Sequence, residues 1–248
     1  MSDKSKIEWT DATWNPVTGC SKISTGCINC YAETFSERFR GVPAHPFEQG
    51  FDLKLWPERL ELPLKWKEPR RIFVNSMSDL FHKDIPDTYV MQIIEVMRRA
   101  KQHIFQVLTK RSERMIELTN QEKRNWPNNI WLGVSVENHC CVNRIHHLQL
   151  TPAKVKFISF EPLIGRVLLH SKMLEKINWV IVGGESGHRA RPMKWEWVED
   201  IHRKCLAKNI PFFFKQWGTF DVLGMRVGKK SAGRTLNGRI WNEMPVLV

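Results

Sequence analysis

Three of the chain's six cysteines, Cys20, Cys27 and Cys30, lie within eleven residues at the spacing C-x6-C-x2-C, flanked by Gly19 and Gly26. A Cys-x2-Cys pair places two thiolates on one metal centre, and a third cysteine on the same turn completes a three-thiolate face. Glycines beside them let the backbone bend tightly around a bound object. Thiolate ligation of a metal is therefore the chemistry this stretch points to. Cys140-Cys141 is different. Adjacent residues of a helix point in different directions, so that pair is a poor chelate and reads as structural.

The loop needs a scaffold, and the rest of the chain supplies one. Residues 9–18 read as a first strand whose share in a central ladder is limited by Pro16. Behind Cys30 the spacing of Tyr31, Phe35 and Phe39 predicts a helix over 30–40, stopped at Gly41. Residues 42–69 carry several prolines, Trp56 and Trp66 without a sustained period, and read as an insertion covering the loop. From residue 70 short β-rich runs alternate with amphipathic stretches. Strands are expected at 71–75, 103–108, 130–135, 156–160, 179–182 and 211–214, and helices near 87–101, 112–119, 139–148 and 194–208. Such βα units imply an α/β fold with parallel strands, a TIM-like (β/α) barrel, partial or complete, with an open doubly wound sheet as the other arrangement. The barrel is expected over 1–218, with the cysteine loop at 19–32. Residues 219–248, rich in Gly, Lys and Arg, form a basic tail or a lid.

In parallel βα folds active sites gather at the carboxyl ends of the strands. Those ends carry Asn75, Ser76, Ser78 and Asp79; Thr109, Lys110 and Arg111; Ser135, Glu137 and Asn138; Ser159 and Glu161; Gly183, Gly184, Glu185 and Ser186; and Lys215 and Gln216. Any one of them suits helix capping, but charged or amide groups at six successive ends favour a site. The turn Gly183-Gly-Glu-Ser-Gly187 lets backbone N–H groups approach a ligand. Glu161 reads either as a buried acid near the metal or as a surface loop residue. Asp79 and His82 read more simply as a capping aspartate beside an exposed histidine than as ligands or proton shuttles.

A formal net charge of +12 and a pI near 9.6 attract polyanions, nucleic acid first among them. Lys110, Arg111, Lys215, Lys229, Lys230 and Arg234 are the expected phosphate contacts. Of eleven tryptophans, Trp131 and Trp179 sit in apolar runs and belong to the core. No run of eighteen apolar residues spans a membrane, and residues 1–8 hold no secretory leader. Reduced thiols and a cytoplasmic location are expected.

The loop and barrel together resemble the radical S-adenosylmethionine enzymes. More closely, the chain resembles a phage- and prophage-associated three-cysteine family of unassigned function. The likeness is carried by Trp14-Asn-Pro-Val-Thr-Gly-Cys20, Cys27-Ile-Asn-Cys-Tyr-Ala32, Asn75-Ser-Met-Ser-Asp-Leu-Phe-His82, Leu132-Gly-Val-Ser-Val-Glu137, Phe160-Glu-Pro-Leu163, Gly183-Gly-Glu-Ser-Gly187 and Gly233-Arg-Thr-Leu-Asn-Gly238. The resemblance implies that Cys20, Cys27 and Cys30 hold a [4Fe–4S] cluster whose fourth iron binds S-adenosylmethionine for reductive cleavage. It implies that Ser135, Glu137 and Glu185, with Asn75, Glu161, Gly183 and Gly184 at the same rim, hold that cosubstrate. A nucleic acid or nucleotide substrate and a reductant for the cluster follow, and an unidentified protein partner is left open.

Two features depart from the common radical pattern. The first cysteine gap is three residues longer than usual, and Asn29 stands where an aromatic residue commonly precedes the last cysteine, leaving Tyr31 to supply that surface. Two other readings therefore stay open. One is a zinc protein with a Cys3His site completed by His45 or His82, binding nucleic acid as a phage accessory factor without redox chemistry. The other is an iron–sulfur protein that keeps the barrel but binds no S-adenosylmethionine.

Overall fold

Ala12–Trp14 (β1) lies parallel to Arg71–Val74 (β4), with Thr13 opposite Phe73. Pro16 cannot donate to a ladder, and the expected strand over 9–18 stops before it. Beyond it Val17–Thr18 (β2) pairs antiparallel with Lys54–Leu55 (β3), outside the main sheet. The computed structural model describes residue 5 and residues 7–122 and 125–246. Residues 1–4 and 6, part of the stretch read as lacking a leader, lie outside the described residues.

The main sheet has seven strands in the order β1-β4-β5-β6-β7-β8-β9, where β5 is Ile104–Thr109, β6 Ile130–Ser135, β7 Lys156–Phe160, β8 Trp179–Gly183 and β9 Phe212–Gln216. β1 and β9 are its two ends, so the sheet is open rather than closed into a complete barrel. Every residue of β6, β7 and β8 is buried, as in parallel strands covered on both faces. No helix among the described residues is long and apolar enough to cross a membrane.

The chain forms two compact units. The first comprises the described residues within 1–23, 30–132 and 151–154. Its helices are Tyr31–Ser36 (α1), Asp87–Arg99 (α2) and Ser112–Gln121 (α3). α2 buries Val90, Ile93, Ile94 and Met97, the face its periodicity predicts. α1 is shorter than expected and continues as a 3-10 turn to Phe39. The Tyr31–Phe35–Phe39 stripe does not enter the core, since Tyr31 and Phe35 are exposed and Phe35 packs on Phe39 and Phe47. The segment over 42–69 lies on β1 and β2: Trp56 Nε1 donates to Thr18 Oγ1 (2.8 Å), and Trp14 Nε1 donates to the Arg59 carbonyl (2.8 Å).

The second unit comprises the described residues within 24–29, 133–150 and 155–248, with helices Asn143–Gln149 (α4), Trp195–Ala207 (α5) and Lys229–Ala232 (α6). Trp179 is fully buried between Phe157 and Phe213, at centroid distances of 5.6 and 6.1 Å. Residues 241–243 run along β9. Phe214 N donates to the Trp241 carbonyl (3.0 Å), and Glu243 N donates to that of Phe212 (3.2 Å). Part of the stretch read as a tail or lid thus covers a strand edge that would otherwise offer unpaired backbone groups.

Candidate metal centre and strand-end rim

The cysteine loop divides between the units. Its flanks, with Cys20 and Cys30, belong to the first, and its centre, residues 24–29 with Cys27, to the second. None of the three cysteines is in a disulfide, and each is partly exposed.

In the first unit the flank leading to Cys20 is tied to the turn after β4. Gly19 N donates to the Met77 carbonyl (3.0 Å), and Ser78 Oγ donates to the Gly19 carbonyl (2.6 Å). The next residue, Ser21, is held by two side chains. Arg111 Nη2 donates to both Ser21 Oγ (2.9 Å) and Ser21 O (3.0 Å), and His82 Nε2 lies 2.8 Å from Ser21 Oγ. His82 Nδ1 accepts the Asp84 N–H (3.2 Å), which assigns the ring proton to Nε2. The expected exposed histidine is therefore buried, at 3% exposure. Burial, and after it the Arg111 charge, lowers its pKa and keeps the imidazole neutral. Asp79 takes Thr109 Oγ1 (2.6 Å) and the Phe81 N–H (3.0 Å) on Oδ1, and the Lys110 N–H (3.0 Å) on Oδ2. It is more than a local cap, because it joins the ends of β4 and β5 and so aims Arg111.

Asn75 closes β4 in the left-handed region (φ 57°) and is 3% exposed, and neither its amide nitrogen nor its amide oxygen has a hydrogen-bond partner. A buried amide with both ends unpaired costs about 1–3 kcal/mol per group, which a polar ligand would recover. Beside it, Tyr31 donates its hydroxyl to the Ser76 carbonyl. The first unit thus gathers Tyr31, Asn75, Lys110 and Arg111 near the loop's flanks.

In the second unit two buried carboxylates hold the loop's centre. Glu137, fully buried at the end of β6, accepts Ser24 Oγ (2.8 Å) on Oε1 and Arg144 Nη1 (2.8 Å) on Oε2, and Arg144 also donates to the Ser135 carbonyl (2.8 Å). A Cβ on Gly26 would lie 2.4 Å from Glu137 Cγ, so glycine there makes room for the carboxylate. Glu185 after β8 is gripped by Arg191 through Nε (2.9 Å), Nη2 (2.6 Å) and the backbone N–H (2.9 Å), and it also accepts Asn29 Nδ2 (3.0 Å). Burial pulls the Glu185 carboxyl upward, but the bonds from Arg191 and Asn29 outweigh it and hold the pKa below its ordinary value. Arg191 Nη1 also donates to the Thr25 carbonyl (3.0 Å). Glu137 and Glu185, expected on a cosubstrate, are therefore engaged with the loop itself.

The other expected residues divide. Glu161 accepts Lys215 Nζ (2.6 Å), and a Cβ on Gly183 would sit 3.3 Å from the Glu161 carboxyl carbon, so Glu161, Gly183 and Lys215 form one small group. Lys215, expected on a phosphate, is thus neutralised beside a half-buried carboxylate. Gly184 N–H is already donated to the Gln216 carbonyl (2.9 Å), and a Cβ there would meet the Trp217 carbonyl at 1.9 Å, so this glycine serves the approach of β9. Ser159 Oγ and Gln216 Oε1, both buried, lack partners. Lys229 and Lys230 are exposed on α6, and Arg234 donates to Asn242 Oδ1.

Sequence reasoning missed Ser21, Ser24 and Asn29 as anchors and Arg144 and Arg191 as the counter-charges of Glu137 and Glu185. The signal was inside the loop, where Ser21, Ser24 and Asn29 lie between the cysteines.

Among the described residues no three His, Cys, Asp or Glu side chains gather as ligands of a single metal ion. A polynuclear iron–sulfur cluster, in which each thiolate binds its own iron, asks for no such convergence on one point, and the three-cysteine donor set fits it. The Cys3His alternative has weaker support. Both His82 nitrogens are engaged, and His45 stacks on Phe39 (3.8 Å) with Nδ1 accepting the Phe47 N–H (3.1 Å).

Residues 4–245 match the family described as protein of unknown function (DUF5131). The chain belongs to that family. No curated protein matches it. Among solved structures it is similar to spore photoproduct lyase complexed with dinucleoside spore photoproduct, at TM-score 0.43 and 11% identity over 76% of this chain and 58% of that one. It is also similar to a spore photoproduct lyase mutant with bound AdoMet and the same dinucleoside, at TM-score 0.45 and 12% identity over 77% and 60%. The chain thus spans about 60% of the length of these structures.

Proposed function

We propose that this DUF5131 protein is a radical S-adenosylmethionine-type iron–sulfur enzyme that modifies or repairs a nucleic acid or nucleotide. The observation that carries the reading is the treatment of the cysteine loop. Three cysteines outside any disulfide sit in one short loop, and its centre is anchored by two buried carboxylates, Glu137 and Glu185. Burying charge to fix a surface loop is costly, and the cost is understandable where thiolates must be presented in one arrangement.

In this reading Cys20, Cys27 and Cys30 hold a [4Fe–4S] cluster and leave one iron for S-adenosylmethionine. When bound, these groups supply one-electron reductive cleavage and a hydrogen-abstracting radical. The chain's own residues bind and orient. Glu137 and Glu185 fix the loop through Ser24 and Asn29, and Arg111 and His82 fix it through Ser21. In the first unit the unpartnered amide of Asn75 offers hydrogen bonds to a polar cosubstrate. Tyr31 offers an exposed aromatic face. The basic surplus favours a phosphate-bearing substrate. A reductant for the cluster, a cytoplasmic setting and an origin among phages and prophages belong to the same proposal.

The test is anaerobic reconstitution, reduction and addition of S-adenosylmethionine, with 5′-deoxyadenosine measured by mass spectrometry beside a Cys27→Ala control. Iron and sulfide near four per chain, with product that vanishes in the control, is the expected result. Zinc in place of iron would overturn the reading.

A further inference from the structure

Residues 219–228 form a tight, well-anchored hairpin with an apolar tip. Phe220 and Arg226 pair as an antiparallel bridge, and the Arg226 guanidinium lies over the Phe220 ring at 4.8 Å. The turn is closed by Asp221. Its Oδ1 accepts the N–H groups of Leu223 (3.0 Å) and Met225 (2.8 Å), and its backbone N–H donates to the Met225 carbonyl (2.9 Å). The base is tied to the turn after β8: Thr219 N donates to the Glu185 carbonyl (3.0 Å), and Gly187 N donates to Thr219 Oγ1 (2.9 Å). Arg226 Nη2 adds a bond to the His188 carbonyl (2.9 Å).

This frame directs apolar side chains at solvent. Val222, Leu223, Met225 and Val227 are 48, 82, 63 and 41% exposed. The nearby exposed charges are basic: Arg226, Lys229, Lys230 and Arg189. The one acid in the turn, Asp221, is committed to the turn's own N–H groups. An apolar point with cations beside it matches a base stack between phosphates, where leucine and methionine wedges separate neighbouring bases. A membrane would ask for a broader apolar face than four side chains on one turn.

We infer that the hairpin at residues 219–228 is a nucleic-acid wedge, in which Leu223 and Met225 enter the base stack while Lys229 and Lys230 hold the flanking phosphates. That it serves the Glu185 rim rests on the function proposed above, because a base attacked by an enzyme must first leave its stack. The wedge itself does not depend on that chemistry.

The test uses the purified full chain, with no reductant or S-adenosylmethionine, and short DNA and RNA duplexes carrying 2-aminopurine. Binding by the wild type is expected to raise 2-aminopurine fluorescence in at least one duplex. Leu223→Ser/Met225→Ser should retain binding within about threefold yet abolish the rise, since phosphates dominate affinity. Lys229→Gln/Lys230→Gln should weaken binding and make the slope of log affinity against log salt shallower by about 2. Unchanged fluorescence with the serine pair, or binding to anionic vesicles with no duplex binding, would overturn the inference. Because the assay needs no cluster, its failure and the failure of the radical chemistry are separable.

Discussion

Replacing Glu137 by alanine tests whether the loop is held as described. The substitution leaves the Ser24 hydroxyl without its acceptor and the largely buried Arg144 guanidinium without its carboxylate partner. Removing one partner of a buried ion pair costs about 3–5 kcal/mol. Arg144 keeps the Ser135 carbonyl and its side chain is 11% exposed, which places the expectation at the lower end. A loss of about 3 kcal/mol lowers the melting temperature of a chain this size by about 6–12 °C. Calorimetry reads the loss, and the alkylation rate of Cys27 reads its place, since a released loop exposes that thiol. Gly26→Ala supplies the internal control. Alone it drives a Cβ to within 2.4 Å of Glu137 Cγ and destabilises; beside Glu137→Ala the obstacle is gone, so the two should couple favourably by about 1 kcal/mol or more. A Glu137→Ala protein that melts within about 2 °C of the wild type, with Cys27 no more reactive, would refute the reasoning.

Glu185 makes an acid-limb prediction. Its folded pKa lies below the ordinary 4.5, so its contribution to stability is complete above that value and is lost as pH falls through the folded one. Denaturation midpoints followed into acid should therefore drop less steeply in Glu185→Gln than in the wild type, and parallel curves would contradict the Arg191–Glu185–Asn29 geometry. The adjacent thiols should separate in labelling. Burial and the Glu137 side chain push Cys141 up to about 11, and it is only partly exposed, whereas Cys140 is exposed. Iodoacetamide at neutral pH, with peptides resolved by mass spectrometry, should mark Cys140 first, and equal rates would argue against that burial.

The scaffold was legible because its signals are local. Apolar runs such as Trp179-Val-Ile-Val182 have only one stable setting in a chain of alternating βα units, and the β-strand ends then name the rim. Side-chain commitments at that rim were not legible. Glu137 and Glu185 look like open ligands in the sequence, and only the fold shows that Ser24 and Asn29, over a hundred residues upstream, donate to them. The exposure of His82 was misjudged for the same reason, since its Nε2 meets Ser21, 61 residues upstream, a contact the local sequence does not show. Pro16 was read correctly as a limit on the first strand because its effect is covalent and needs no partner.

The cover on β9 has a consequence for the order of synthesis. The strand carries Phe212, Phe213 and Phe214, and the residues that pair along its edge, 241–243, are made about 25 positions later. At about 5–20 residues per second that interval lasts about 1–5 seconds, during which a phenylalanine-rich edge is complete but uncovered. A segment made after the strand is therefore what shields it from the strands of neighbouring nascent chains, and termination just before Trp241 should yield aggregates rather than a shorter working protein.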